Sequence, residues 1–248
     1  MTSAACRALP RRLMTRRDIA RALVAEGLGT GLLVACVVGS GVMGSDLSAG
    51  NAGLALLANS LATAAILVVL VASLEAVSGA HFNPAVTLTR ALSGKMGAGL
   101  AASYMVSQAL GGLLGTALAH GMFEQVLWQQ ATQQRNGAGQ LAGEFVAAFG
   151  LMLAIVLTAR NRPAALPVVV GLFIGSAYWF TSSTSFANPA VTLARAFSDT
   201  FAGIRLTDVP AFVVVQFAGA WCGSLCGGWL AGEPGRPASD PVASSASS

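Results

Sequence analysis

The sequence is short of charge. Charged residues make up 10% of its 248 residues, against about 25% in soluble domains. A soluble core wrapped in a charged shell is therefore excluded for most of the chain. Cysteine is also scarce. Cys6, Cys36, Cys222 and Cys226 are the four present, and three of them sit inside apolar runs, where cysteine behaves as a small hydrophobe. Cys222 and Cys226 are four apart on one helix face, but no histidine or carboxylate cluster joins them. Neither a disulfide framework nor a zinc site is indicated. No Ser–His pair, metal-ligand spacing or phosphate loop occurs, so the sequence indicates no enzyme, no cofactor and no resident metal. Short alternating apolar segments are missing too, which excludes a transmembrane β-barrel.

What is present is apolar. Hydrophobic residues make up 54% of the chain and the mean hydropathy is +0.68, as expected of a chain whose main solvent is lipid. Six stretches approach the ~20 apolar residues that cross a bilayer: 20–42, 54–77, 97–118, 141–160, 164–182 and 207–231. In lipid each backbone amide must be satisfied internally, so these are expected to be helices. The basic start followed by an apolar run has the outline of a secretory signal, but Glu26 interrupts that run and comparable runs follow, so it reads as a retained span.

The few charges are clustered. Arg7, Arg11, Arg12, Arg16, Arg17 and Arg21 precede the first apolar run, so the net charge of +4 is an orientation signal and not a nucleic-acid signal. Six spans put both termini on one side. That side would hold these six arginines with Arg90, Lys95, Arg160, Arg162 and Arg236, eleven in all, against Arg135, Arg195 and Arg205 on the other. The reading is a multi-pass inner-membrane protein with both termini cytoplasmic. It comprises a basic segment over 1–19, a membrane domain over 20–231 and a disordered Pro/Ser/Ala-rich tail over 232–248. The polar segment 119–140 lies outside.

The chain repeats itself. Residues 83–94 read NPAVTLTRALSG and 188–199 read NPAVTLARAFSD, identical at nine of twelve positions and offset by 188 − 83 = 105. Gln108, Gly111 and Gly115 are echoed by Gln216, Gly219 and Gly223, and Glu26 by Glu144. Two units of three spans, 20–118 and 141–231, follow. An odd span count sets them in opposite orientations, with a site near the midplane. Pro84 and Pro189 suit a first helical turn, and Asn83 and Asn188 suit the cap before it. Each motif therefore reads as a re-entrant loop feeding a half-helix, Ala85–Leu92 and Ala190–Phe197. Two half-helix N-termini meeting at the midplane, each with about +0.5 charge, oppose cations, while the asparagine amides donate to uncharged solutes. The expected fold class is an all-α membrane protein of six transmembrane helices and two re-entrant half-helices.

These residues carry a resemblance. GAHFNPAV at 79–86, the second Asn188-Pro189-Ala190 and the echo of Glu26 in Glu144 resemble the aquaporin and glycerol-facilitator family over 20–231. The resemblance implies a homotetramer with one pore per subunit. It also implies that Glu26, Glu144 and His81 brace the re-entrant loops, and that the permeants are small and uncharged. The chain departs from the family at Val191, where the second motif usually continues with arginine. By family spacing the other filter positions are Thr63, Ser176 and Ser185. All four are small, which implies a wide, weakly charged filter. Such a filter suits glycerol-like polyols, urea-like solutes, neutral metalloid acids such as arsenite, and water. Arg195, one turn beyond Val191, is matched by Arg90 in the first half, which favours a structural role for it. The competing classes are a mainly water-conducting channel, an ion channel, and an alternating-access transporter in which Glu26 and Glu144 are the coupling acids.

Overall fold

A computed structural model describes residues 14–232. Six long helices and two short ones follow in order: α1 Arg16–Leu47, α2 Ala52–Ser78, α3 Pro84–Leu92, α4 Ala98–Met122, α5 Ala138–Asn161, α6 Leu166–Phe180, α7 Pro189–Arg195 and α8 Val209–Ala231. Single 3₁₀ turns, Pro163–Ala165 and Leu206–Asp208, lead into α6 and α8. Residues 1–13 and 233–248 lie outside the described residues, and with them most of the basic segment and the tail.

Each boundary has a local cause. Helix α1 starts at Arg16, earlier than its hydropathy suggests, because Thr15 and Asp18 form a reciprocal capping box. Helix α2 is capped by Asn51 and ends at Gly79, whose φ of 86° carries the chain out of the helix. The short helices start where Asn and Pro predict. Asn83 Oδ1 accepts from the Ala85 amide at 2.8 Å, and Asn188 Oδ1 from the Ala190 amide at 3.0 Å. Helix α7 stops two residues before the expected end. Beyond it, the Ala196 and Phe197 carbonyls accept from the Ala131 and Gln129 amides of the loop between α4 and α5.

Five of the long helices are apolar enough, by length and composition, to cross a membrane. Helix α4 is as long, but Ser103, Ser107, Gln108 and His120 lower its hydropathy. The exterior is apolar: Leu61, Leu114, Val214 and Trp229 are more than 60% exposed. A helix that buries polar groups and exposes leucine is turned inside out relative to a soluble protein, which fits lipid as the surrounding solvent.

The two halves pack alike. Helix α4 lies against α1 and α8 against α5, through glycines that admit a neighbouring backbone. A Cβ on Gly111 or Gly115 would collide with the Gly27 or Gly31 carbonyl; one on Gly219 or Gly223 would collide with that of Phe145 or Phe149. The contacts repeat at the offsets of the sequence echo. Close approach through small residues is how membrane helices associate.

Candidate functional site

A cavity of about 260 Å³ runs between the halves. Its walls come from α1, α2, α5 and α6, the short helices α3 and α7, and the loops before those two; no residue of α4 or α8 lines it. Helices α4 and α8 thus hold the wall helices in place from behind.

The centre is built by the paired motifs. The Asn83 amide nitrogen donates to the Ala187 carbonyl at 2.8 Å, and that of Asn188 donates to the Phe82 carbonyl at 2.8 Å. The crossed bonds tie the two short-helix N-termini together. An amide nitrogen carries two protons, so each asparagine keeps one beyond the crossed bond, and both residues line the cavity.

The loops leading in are strained. Ala80 and Phe82 have φ of 48° and 47°, and Ser185 and Ala187 have 51° and 48°. Side chains with a Cβ rarely hold this left-handed conformation unless their surroundings impose it. A buried carboxylate does so in each half. Glu26 accepts from the His81 and Phe82 amides at 3.0 and 2.7 Å, and also from Ser78 Oγ and Gln108 Nε2. Glu144 accepts from the Phe186 and Ala187 amides, each at 2.8 Å, and from Gln216 Nε2. Both are fully buried, and neither lines the cavity. A buried carboxylate surrounded by donors holds its loop in shape.

His81 differs from its counterpart Phe186. Its Nδ1 lies 3.0 Å from Thr87 Oγ1. Thr87 gives its only proton to the Asn83 carbonyl, so His81 Nδ1 must be the donor, and its other nitrogen is left as an acceptor. His81 lines the cavity.

The four filter positions do not all come together. Thr63, Ser185 and Val191 line the cavity. Ser176 does not: it is on the exposed face of α6. The expectation that Ser176 lines the filter is thus corrected. The cavity face of α6 is the row Leu166, Val170, Ile174 and Tyr178, spaced by four, and Ser176 lies on the opposite side. Tyr178, the last of that row, is buried, with its hydroxyl 3.2 Å from Thr63 Oγ1. The expectation of an all-small filter fails with it.

Arg195 also lines the cavity and is 2% exposed. Its repeat partner Arg90 lines the cavity as well. Arg195 is four residues beyond Val191, and Arg90 four beyond Val86, so each pair shares one helix face.

Around the α7 end, the loop 123–137 is fastened down. Thr132 donates twice to Asp199 Oδ1, and the Arg205 amide donates to the Gln133 carbonyl at 2.7 Å. Arg135 reaches inward to the carbonyls of Gly203, Ser183 and Phe201. Within the polar segment expected to lie outside, this loop is a packed cover.

Comparison with known proteins agrees with this architecture. The family profile described as Major intrinsic protein matches residues 13–187. The chain is 52% identical over 224 residues to the aquaglyceroporin AqpS of Rhizobium meliloti (strain 1021), covering 90% of this chain and 95% of that one. It is 31% identical over 227 residues to aquaporin TIP2-3 of Zea mays, covering 86% and 85%. The X-ray structure of the aquaglyceroporin from Plasmodium falciparum superposes with a TM-score of 0.64 at 22% identity, over 86% of this chain and 96% of that one.

Proposed function

The chain belongs to the major intrinsic protein family, and we propose that it forms a passive transmembrane channel for small uncharged solutes: glycerol-like polyols, neutral metalloid acids such as arsenite, and water. The crossed pair of asparagines at the centre of the cavity carries this reading. Two helix N-termini meet there, each bringing partial positive charge. A cation entering the gap loses hydration and gains no anionic ligand; a hydroxyl group finds the remaining asparagine protons as donors. The name of the 52% identical relative supports the choice of a polyol over water alone.

In this reading Asn83, Pro84, Ala85, Asn188, Pro189 and Ala190 form the central constriction. Glu26, Glu144 and His81 brace its loops. Thr63, Tyr178, Ser185 and Val191 form a second constriction toward the α7 end. The domain runs from 20 to 231, both termini lie in the cytoplasm of an inner-membrane protein, and the assembly is a homotetramer. The transporter alternative needs a titrating acid on the path, whereas both buried carboxylates are off the lumen and engaged with loop amides.

The test is stopped-flow light scattering on proteoliposomes with an imposed glycerol gradient. Wild type should shrink and re-swell much faster than empty vesicles. Asn83→Ala/Asn188→Ala, if folded, should lose most of that flux. Glycerol permeability equal to that of empty vesicles would rule the reading out.

A further inference from the structure

We infer that Arg195 supplies the fixed positive charge of the α7-end constriction, and that with the Ser185 hydroxyl it forms a donor pair selecting for oxygen-bearing solutes and against cations. This rests on the channel reading above and names the residue that sets its charge selectivity.

Three observations carry it. First, the Arg195 guanidinium is buried yet has no carboxylate partner among the described residues. Its Nε donates to the Ala202 carbonyl and its Cζ lies 3.3 Å from the centroid of the Phe186 ring. No acceptor among the described residues takes its terminal NH₂ groups, and the side chain lines the cavity. A guanidinium held by one carbonyl and an aromatic face keeps its fork of donors for whatever fills the lumen. Second, Ser185 lines the same cavity, and its buried Oγ has no hydrogen-bond partner. Buried hydroxyls are nearly always partnered, so an orphan in a residue of the lumen wall has bonding capacity left for a solute. Third, the neighbouring guanidinium does the opposite. Arg135 also stands over the Phe186 ring, at 4.9 Å, but its nitrogens are taken by loop carbonyls and it does not line the cavity. Of the two cations on one ring, Arg135 holds the cover and Arg195 faces the lumen.

The helical spacing explains the position. Val191 occupies the turn nearest the central asparagines, and the charge sits one turn farther out, on the same face. An incoming cation meets a fixed charge in a low-dielectric wall, where repulsion is far stronger than in water. A solute with adjacent hydroxyls can accept from the guanidinium and pair with Ser185 Oγ at once.

The full-length protein in proteoliposomes tests this. Wild type should pass glycerol with no potassium or proton leak above empty vesicles. Arg195→Met should gain a cation leak of about tenfold or more; Arg195→Lys should remain tight. An Arg195→Met that is folded, as a monodisperse peak in detergent size-exclusion chromatography shows, and stays cation-tight overturns the assignment. Because a buried arginine can be needed for folding, a second measurement leaves it in place. In Ser185→Cys, the reaction rates with an anionic and a cationic methanethiosulfonate are compared, each normalised to its rate with free thiol and corrected for the native cysteines. A normalised ratio of about tenfold in favour of the anionic reagent supports a local positive charge. A ratio near one, or favouring the cation, overturns it. If wild type passes no glycerol, the channel reading fails, and the thiol ratio still reports the charge at this site.

Discussion

The two mouths of the cavity are made from the same repeat and finished differently. At the α3 end, Arg90 is exposed, and a five-residue connection, 93–97, leads directly into α4. At the α7 end, Arg195 is buried beneath the segment 196–208 and the loop 123–137, which are hydrogen-bonded to each other. His81 stands at one mouth where Phe186 stands at the other, and only Phe186 carries guanidinium groups on its ring. The centre between them remains symmetric to within hydrogen-bond detail. Duplication therefore fixed the part that must meet itself at the midplane. The ends, which meet different compartments, diverged through connection length and one aromatic substitution. Perturbing equivalent residues should give matched effects at the centre and unmatched effects at the ends.

The largest matched effect should come from the carboxylates. Glu26→Ala leaves four donors without their acceptor, two buried and two part-buried, and Glu144→Ala leaves three buried ones. Each unsatisfied buried donor costs about 1–3 kcal/mol, and the loops also lose what holds their left-handed residues. The sum is comparable to a typical total stability of about 5–15 kcal/mol. Both variants should fail to give a monodisperse peak in detergent size-exclusion chromatography. Glu26→Gln and Glu144→Gln, which keep one acceptor oxygen, should retain some folded protein. A well-folded Glu144→Ala beside a collapsed Glu26→Ala would show that the cover holds the second loop without its carboxylate.

A smaller matched effect is expected at the asparagines. Asn83→Ala and Asn188→Ala each remove one helix cap, about 1 kcal/mol, and one crossed bond, about another 1 kcal/mol. The two should lower the thermal midpoint by similar amounts in the same detergent. A difference of several-fold between them would mean that the centre is less symmetric than its bond lengths.

The central plan was legible in the sequence because duplication repeats its own signal. Asn-Pro at a cap and first turn, a glutamate echoed in each half, and glycines at fixed offsets all point to the same contacts. The constriction was not legible. Family spacing points to Ser176, but the face that α6 turns inward is set by its packing against α2, not by distance along the chain. The match of Arg195 to Arg90 does not reveal that both line the cavity and that only their cover differs. That cover is not legible because the polar loop 123–137 has no hydrophobic pattern; its order comes from carbonyl and carboxylate bonds to a segment about 70 residues away.

The smallest effect should be the least matched. Asp199 accepts from the amide and the hydroxyl of Thr132, both at 2.9 Å and both exposed. Exposed bonds of this kind contribute about 1 kcal/mol or less, and two backbone bonds from Gln129 and Ala131 still hold the loop when they are gone. Asp199→Ala should therefore leave the thermal midpoint nearly unchanged. Its effect should be local: faster amide hydrogen exchange at Thr132 and its neighbours in 123–137, with exchange in 79–82 unaltered. The α3 mouth has no equivalent cover among the described residues, so no change there can mimic it. Faster exchange reaching 79–82 would show that the two mouths are coupled through the crossed asparagines. No change at Thr132 would show that the backbone bonds alone close the α7 end.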